Sequence, residues 1–409
     1  MADRSVDYLL IGGGIACARC AQTLRREGAE GSILVVGREA DPAYARPPLS
    51  KEYLAGTMPR EEVTSVEPEW WEENGVELLT RTSVMKLDTG ERVAKLATRE
   101  EVGFDKALVA TGANVRRLRA DGGELKGIHY LRSYGNADAI RADAEAGKRA
   151  VMIGGSYIGS EVAATLTTAF GVECTILMQE DVCLSPQFGN EVGGYFQGLL
   201  ESHGITAHGG DSLERYEGEE RVARVVSQRG LELDCDFVVV GAGVVPDVML
   251  ARSAGLELGE SGGIACSSRL ETSVPGIYAA GDVAEYDSPL HGRPVRIEHW
   301  DVAAEHGKTA ARNMLGQDVA HEVVPYFWSD FADWAKLEYV GIGSGERRVI
   351  RGSLDDGDFI AFSLDGDRLV AAVTVGRPED LAEARRLMAD RATPDPDALA
   401  DVSTDLSSL

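Results

Sequence analysis

The chain has 409 residues, 44% of them hydrophobic, which predicts about two to four domains with buried cores. It carries 67 acidic and 41 basic residues, and this net charge of −26 argues against nucleic acid as a partner because phosphate binding needs a basic face. The sequence contains neither a secretion signal nor a run of about 18 apolar residues, so we expect a cytoplasmic protein without a membrane span.

Two segments share one order of apolar strand, glycine turn, helix and second strand. The first is 6-VDYLLIGGGIACARCAQTLRR-26 followed by 32-SILVVGRE-39, and the second is 149-RAVMIGGSYIGSEVAATLTTAF-170 followed by 172-VECTILMQE-180. An apolar strand that is bounded by glycine and followed by a helical pattern indicates a parallel β–α–β unit. Two such units predict two bound dinucleotides.

The remaining elements change in character along the chain. Further apolar strands end in glycine, and a helical pattern at 299–315 follows the last of them: 104-FDKALVATGA-113, 236-DFVVVGAGVVPD-247 and 276-GIYAAGDVA-284. After about residue 323 the sequence predicts four short antiparallel strands and a closing helix: 337–342, 346–353, 358–364, 368–375 and 378–390. The final 18 residues, rich in Pro, Asp and Ser, predict a loosely held tail.

The first glycine turn fits a dinucleotide-binding fingerprint. Gly12 permits the tight turn, Gly14 lets the backbone approach a pyrophosphate, and the small residue Cys17 permits close packing of helix and strand. The anion would rest on the helix N-terminus, and Glu39 at the end of the next strand is placed to bind a ribose. Cys17 and Cys20 form a CxxC, but a disulfide there would tie two turns of that helix, so packing is the favoured interpretation.

The second turn, Gly154-x-Ser156-x-x-Gly159, has serine where the middle glycine usually stands. The strand that follows it ends in Met-Gln-Glu, and Glu180 is the candidate ribose ligand. No arginine or lysine is close in sequence. A free 2′-hydroxyl prefers a carboxylate and a 2′-phosphate needs a cation, so this pattern favours NADH over NADPH.

Several single residues allow both a structural and a functional interpretation. Asp282 could cap a turn or contact a ribityl chain or phosphate, and the two upstream units favour the second. Lys51 could be a surface charge. Glu161 could be a carboxylate with no functional role, placed near a helix N-terminus where the helix dipole favours a negative charge. Trp300 and Trp328 could equally be core residues.

With these residues in view, the chain resembles the FAD-dependent, NADH-using ferredoxin reductases of bacterial oxygenase systems, of the putidaredoxin reductase type. It is also similar to apoptosis-inducing factor. The similarity runs nearly end to end, and ARPPLSK together with YFWSD is its most specific part. The matching stretches are GGGIAC, ARPPLSKEYL, LVATGA, IGGSYIGSEVAA, VVGAGVVPD, IYAAGDVA, RIEHWDVA and YFWSD.

The resemblance implies an α/β fold within the pyridine nucleotide-disulfide oxidoreductase superfamily. Two Rossmann-like, three-layer nucleotide-binding domains, similar to those of glutathione reductase, precede a C-terminal α+β domain with an antiparallel sheet. The implied boundaries are 1–112 with 245–322 for FAD, 113–244 for NAD, 323–391 for the C-terminal interface domain, and 392–409 for the tail.

The resemblance also implies the site residues, with no metal among the cofactors. The implied FAD contacts are Gly12, Gly14, Ile15, Ala16, Glu39, Arg46, Pro47, Lys51, Val84, Ala110, Thr111, Gly281, Asp282, Trp300 and Trp328. The implied NAD contacts are Gly154, Ser156, Tyr157, Ile158, Gly159, Glu161, Glu180, Gly243, Glu298 and Trp300. Lys51 and Glu161 would pair across the FAD and NAD domains, and would orient and tune the flavin without acting as nucleophiles.

The segment 45-ARPPLSKEYL-54 contains no cysteine, so no thiol there can take electrons from a flavin. We therefore expect transfer from NADH through FAD to an external ferredoxin or rubredoxin, by a monomer or homodimer. A slow NADH oxidase that signals through a charge-transfer state, like apoptosis-inducing factor, is the alternative. An NADH oxidase or peroxidase ranks last because it usually needs a cysteine near the flavin. Candidate docking cations are Arg293, Arg296, Arg347, Arg348 and Arg351.

Overall fold

Apolar runs bounded by glycine form the central strands of two parallel sheets in a computed structural model of the protein, which describes residues 2–409. The chain divides into two units, and each of them is assembled from three separate segments. The first unit comprises Met1–Ala45, Glu61–Asn114 and Val244–Val323, and the second comprises Arg46–Arg60, Val115–Gly243 and Val324–Leu409. The short segment 46–60, which follows the first nucleotide-binding motif, therefore belongs to the second unit.

The strands, in chain order, are β1 (Arg4–Ile11), β2 (Ile33–Val36), β3 (Val76–Leu79), β4 (Val84–Asp88), β5 (Val93–Leu96), β6 (Glu101–Val109), β7 (Ala113–Val115), β8 (Ile128–Tyr130), β9 (Arg149–Ile153), β10 (Glu173–Leu177), β11 (Thr206–His208), β12 (Leu213–Gly218), β13 (Val222–Ser227), β14 (Glu232–Asp234), β15 (Phe237–Val240), β16 (Val244–Pro246), β17 (Ile264–Cys266), β18 (Ile277–Ala279), β19 (Ala284–Ser288), β20 (Arg293–Val295), β21 (Tyr326–Phe331), β22 (Ala335–Gly341), β23 (Arg347–Ser353), β24 (Asp358–Asp365) and β25 (Arg368–Val375).

The α-helices are α1 (Ile15–Arg26), α2 (Glu52–Ala55), α3 (Pro68–Glu73), α4 (Tyr134–Ala146), α5 (Tyr157–Phe170), α6 (Ser185–Ser202), α7 (Met249–Ser253), α8 (Trp300–Met314), α9 (Pro378–Ala389) and α10 (Pro396–Ala400). Single 3₁₀ turns occur at Pro47–Ser50, Arg60–Val63, Gly281–Val283 and Leu406–Ser408.

The first unit is built on a sheet of order β3-β2-β1-β6-β5-β4, with β18 also paired to β6. Strands β1, β2, β3, β6 and β18 are parallel, and all four residues of β2 are buried, as expected for a strand with both faces covered. Helix α1 packs closely on α8 because small residues face each other there. A Cβ added to Gly307 would stand 2.2 Å from the carbonyl oxygen of Ala16.

The second unit contains a parallel sheet of order β11-β10-β9-β15-β8 and an antiparallel sheet of order β21-β22-β25-β24-β23. Helix α5 packs against β9, β10 and β21, and α9 covers β22 and β25. Aromatic contacts join α6 to the antiparallel sheet, with the rings of Phe196 and Phe331 stacked at 5.0 Å. The predicted fold class is confirmed, and the antiparallel sheet gains one strand, β21, that the sequence pattern did not predict.

The predicted loose tail is corrected by the structure. Helix α10 and the last 3₁₀ turn bury Leu399 and Leu406, which are 0% and 3% exposed. Arg351 of β23 is itself buried and donates hydrogen bonds to the carbonyl oxygens of Asp401, at 2.5 Å, and Thr404, at 2.9 Å. A rigid guanidinium with five donors can bind several carbonyl oxygens at once. The Arg351 guanidinium therefore holds the tail in place, although the composition of the tail favours turns.

We predict that Arg351→Met destabilises the second unit by about 2–3 kcal/mol, because it leaves the tail carbonyls without their donor and removes one of the two arginines that pair with Asp380. Urea denaturation and limited proteolysis of the tail measure this. The matched control is Arg347→Met, an exposed arginine of the same strand, for which we expect a change within about 0.5 kcal/mol. Equal stability and equal tail cleavage in the two variants would contradict this role.

Candidate nucleotide-binding sites and a buried ion pair

The first glycine turn has the geometry of an anion-binding helix start. Gly12 has φ of +140°, and a Cβ there would stand 2.1 Å from the carbonyl oxygen of Ala110, so only glycine fits. Gly14 precedes α1 without a side-chain cap, and a Cβ on it would meet nothing within 4 Å. The backbone is therefore tightly packed at Gly12 and open at Gly14. No N-cap side chain accepts a hydrogen bond from the first N–H groups of this 12-residue helix. These residues fit the pyrophosphate of FAD.

The acid expected at the FAD ribose is positioned by a residue that sequence reasoning missed. Glu39 lies just beyond β2, and its Oε2 accepts a hydrogen bond of 2.6 Å from the hydroxyl of Tyr44, which is buried. Thr111, which is also expected at the FAD, is held in place by its hydroxyl, which donates a hydrogen bond of 2.7 Å to the carbonyl oxygen of Asp247. Tyr44 carried no recognisable signal in the sequence, since a tyrosine before ARPPLSK is equally suited to packing.

The Gly281–Asp282 turn rests on a buried histidine. Nδ1 of His306 accepts a hydrogen bond of 3.2 Å from the backbone N–H of Gly281. Burial lowers the pKa of His306 well below its ordinary value, and the ring of His321 at 4.5 Å acts in the same direction. Burial lowers the pKa of His321 to about 4. The His306 ring is therefore neutral near pH 7 and its Nδ1 stays available as the acceptor that supports this turn.

An arginine links the same turn to a residue expected at the nicotinamide. Arg296 donates to the carbonyl oxygen of Asp282 at 3.1 Å and pairs with Glu298 at 2.5 Å. The sequence makes it a candidate docking cation, but its side chain is only 15% exposed and contacts Asp282 and Glu298 within the first unit. The remaining predicted contacts of this unit are placed at element ends: Ile15 and Ala16 at the start of α1, Val84 at the start of β4, Ala110 after β6, and Trp300 at the start of α8.

The second glycine turn repeats the close approach. Gly154 has φ of +105°, and a Cβ on Gly159 would stand 2.0 Å from the carbonyl oxygen of Gly154. Ser156, which replaces the usual middle glycine, is the exposed residue before α5 and makes no side-chain cap. The serine therefore leaves the start of the helix open, and the turn fits a second dinucleotide.

Other residues predicted at the second turn lie on α5 or in loops. Tyr157 and Ile158 form the start of α5, and the Tyr157 ring stands 4.4 Å from that of Phe327. Glu180 lies in the loop beyond β10, and Gly243 has φ of +82° after β15.

Lys51 and Glu161 are brought together inside the second unit. The ammonium nitrogen of Lys51 lies 3.3 Å from Oε1 of Glu161 and 3.2 Å from Oδ2 of Asp330. Lys51 and Glu161 are buried, and Lys51 also lies 5.6 Å from the ring centre of Trp328. The pairing that the resemblance implied is present, but both residues lie in the second unit and not in two separate units. Its effect on a flavin stays a prediction.

Two serines complete this cluster. Ser329 donates to Oε1 of Glu161 at 2.6 Å, and Ser50 donates to Oε2 at 2.5 Å. Burial raises the pKa of the Glu161 carboxyl above its ordinary value, and the ammonium and the two hydroxyls oppose that rise. Ser50 stands inside ARPPLSK, and Ser329 and Asp330 stand inside YFWSD. The motifs thus contained these residues, but the resemblance carried over only Lys51 and Trp328.

Arg46 and Pro47 belong to the same unit as this cluster. Arg46 donates to the carbonyl oxygen of Arg132, and Pro47 opens the 3₁₀ turn that ends at Ser50. The segment is held further by Thr165, whose hydroxyl donates to the carbonyl oxygen of Ser50 at 2.8 Å.

The cysteines have the properties of packing residues. All six are free and buried. Burial raises the pKa of every thiol, for example that of Cys183 to about 12, so none is a thiolate near pH 7. Residues 2–409 also contain no group of three or more His, Cys, Asp or Glu side chains that could hold a metal ion. No helix in that range is both long and apolar enough to cross a membrane.

Comparison with known proteins agrees with this geometry. Residues 6–307 match the pyridine nucleotide-disulphide oxidoreductase family, and residues 326–409 match a reductase C-terminal family. The chain is 34% identical to the ferredoxin–NAD(+) reductase component of the anthranilate 1,2-dioxygenase system of Burkholderia cepacia, over 98% of each chain. It is 33% identical to putidaredoxin reductase of Pseudomonas putida, over 98% of this chain and 96% of that one.

A solved structure is similar to this chain over its whole length. The reductase in a covalent putidaredoxin reductase–putidaredoxin complex superposes with a TM-score of 0.93 at 32% identity, covering 100% of this chain and 98% of that one. The chain therefore belongs to the pyridine nucleotide-disulphide oxidoreductases, in the group of the ferredoxin reductases of oxygenase systems. It is an oxidoreductase of a family that uses FAD and a nicotinamide nucleotide, and the predicted resemblance is confirmed.

We predict that Gly14→Ala folds normally but lowers FAD affinity at least about tenfold, because the added methyl enters space that the protein leaves open for the pyrophosphate. FAD content and a fluorescence titration of the apoprotein measure the affinity, and circular dichroism reports the fold. Gly12→Ala is the comparison, since its Cβ meets backbone and should reduce stability itself. Unchanged FAD affinity in a folded Gly14→Ala variant would contradict the placement.

Proposed function

We propose that this chain takes electrons from NADH and passes them singly to the iron–sulfur centre of a ferredoxin that serves an oxygenase. The observation that carries the proposal is the buried Lys51–Glu161 pair in 45-ARPPLSKEYL-54 and α5, in a chain whose six thiols are all buried. Bound FAD would accept an electron pair and return single electrons, which is the chemistry needed to link a nicotinamide to an iron–sulfur centre.

The roles of the chain's residues follow from their positions. The uncapped starts of α1 and α5 hold the phosphates of the two nucleotides. Lys51 supplies a fixed ammonium beside Trp328, and Glu161 keeps that ammonium in place. For the domains, we propose that 1–112 with 245–322 binds FAD, that 113–244 binds the nicotinamide nucleotide, and that 323–391 forms the C-terminal domain.

Fewer of the candidate arginines are exposed for docking a ferredoxin than the sequence suggested. Arg351 is buried, and its Nε pairs with Asp380 at 3.0 Å, so it cannot meet a partner. Arg348 is partly buried, and desolvation lowers its pKa. Arg347 and Arg293 are exposed and remain candidates to attract an acidic ferredoxin.

Rapid mixing without oxygen tests the proposal. We expect NADH to bleach the flavin absorbance of the FAD-loaded protein, and a ferredoxin of an oxygenase system to restore it rapidly. Restoration should slow as salt concentration rises, because screening weakens attraction to the exposed arginines. A bleached protein that several ferredoxins and rubredoxins fail to reoxidise would contradict the proposal and favour a signalling role. Absence of bleaching would exclude both.

Preference for NADH is a finer part of the proposal. Glu180 and Asp181 are the acids beyond β10, as a free ribose hydroxyl requires. The fold, however, brings in a cation from a distant turn. The N–H of Gly210 binds the carbonyl oxygen of Glu180, and the guanidinium of Arg229 lies 3.5 Å from where a Cβ on Gly210 would stand.

We predict that NADH reduces the flavin faster than NADPH, but that Arg229 moderates this preference. Arg229→Ala should slow reduction by NADPH about two- to fivefold, the worth of one exposed charge contact, and leave NADH almost unchanged. Glu180→Ala, in the loop that Arg229 approaches, should have the opposite effect on the preference, because it should slow reduction of the flavin by NADH. Stopped-flow rates at equal, subsaturating nucleotide concentration measure both, and equal effects of Arg229→Ala on the two nucleotides would contradict the assignment.

A further inference from the structure

Both carboxylate oxygens of Glu161 receive a serine hydroxyl, from two segments that are far apart in the sequence. Ser50 reaches Oε2 from the turn that precedes α2, and Ser329 reaches Oε1 from β21. The two serines are 2% and 0% exposed, so neither hydroxyl can be replaced by bulk water. A buried carboxylate survives only where donors meet its charge, and here the donors are built into the chain.

The ammonium of Lys51 is shared almost equally between two acids. It lies 3.3 Å from Glu161 and 3.2 Å from Asp330, so one positive charge faces two negative ones. Ser329 and Asp330 are consecutive residues of β21, and one contacts the acid of the pair while the other contacts the base. A single dipeptide of the C-terminal sheet thus controls both members of the ion pair.

We propose that Ser329 and Asp330 are positioning residues. Ser329 holds Glu161 as a carboxylate, and Asp330 fixes the direction of the Lys51 ammonium. The inference rests on the proposed function only in assigning that ammonium to the flavin. The charged and titratable groups that face Glu161 or its partner are Lys51 from the 46–60 segment, Asp330 from β21 and the phenol of Tyr157 from α5.

The two residues have opposite effects on Glu161. Loss of the Ser329 hydroxyl removes a donor that favours the ionised form, so Glu161 takes up a proton more readily. Neutralising Asp330 removes a competing acid from Lys51 and a negative charge from the cluster, so Glu161 becomes harder to protonate. A residue that only filled space would not shift the protonation of Glu161 in a direction set by its charge.

The experiment is an infrared pH titration of the FAD-loaded protein, in which Glu161→Gln identifies the carboxyl band of Glu161. In Ser329→Ala, the ratio of protonated to ionised Glu161 at a given pH should rise about tenfold, and in Asp330→Asn it should fall. Ser329→Thr, which keeps a hydroxyl, should restore the behaviour of the unaltered chain. Ser363→Ala is the matched control, because Ser363 is a buried serine of β24 in the same sheet.

The outcomes separate this inference from the proposed function. Opposite shifts in Ser329→Ala and Asp330→Asn support the inference, even in a protein that fails to reduce ferredoxin. Shifts no larger than that of Ser363→Ala overturn it, even where ferredoxin is reduced at full rate. Asp330 is partly exposed, so we expect Asp330→Asn to fold even where Ser329→Ala does not, and its titration alone then tests the inference. In that case an unchanged titration of Asp330→Asn overturns the inference.

Discussion

A carboxylate with only 4% of its residue surface exposed cannot remain in a protein unless its charge is met, and the arrangement of the second unit follows from this constraint at Glu161. Its donors come from two other segments, the 46–60 segment with Ser50 and Lys51, and β21 with Ser329. Three stretches of the chain must therefore meet at one point of α5. This requirement agrees with the grouping of segment 46–60 with 115–243 and 324–409.

The ion pair is better explained by function than by stability. Desolvation of two charges offsets much of their attraction, so apolar residues of similar size would hold the same segments together at least as well. A lysine fixed by two acids and backed by a tryptophan is, in contrast, a precisely oriented charge. Such a charge suits a cofactor whose electronics the protein must tune, which is the role that we propose for this position.

Local patterns in the sequence were sufficient to predict the frame of the protein. Apolar runs bounded by glycine predicted the parallel strands and both turns. The glycines were a dependable signal because the backbone at Gly12 and Gly159 leaves no room for a Cβ, so no other residue fits there. Short motifs predicted the family and the pairing of Lys51 with Glu161. The tail was predicted wrongly, since its composition favours turns and only a distant residue, Arg351, holds it in place.

Apart from Tyr44, whose hydroxyl contacts the nearby Glu39, the residues that sequence reasoning missed act through a residue distant in sequence or through a backbone atom. His306 supports Gly281 by accepting a hydrogen bond from its N–H, and Arg229 approaches the Glu180 loop from the turn between β13 and β14. Ser329 meets Glu161 across 168 residues of chain. No periodicity or spacing carries such information, because it arises only when separate elements fold against one another.

We propose that electrons move through this chain without a thiol relay, in contrast to dithiol reductases of related fold. An anaerobic reductive titration of the FAD-loaded protein measures the electrons taken up per flavin. Our account predicts two, the capacity of the flavin alone, because all six thiols are free and buried. Uptake of four would show that a cysteine pair is also reduced, and would contradict the account.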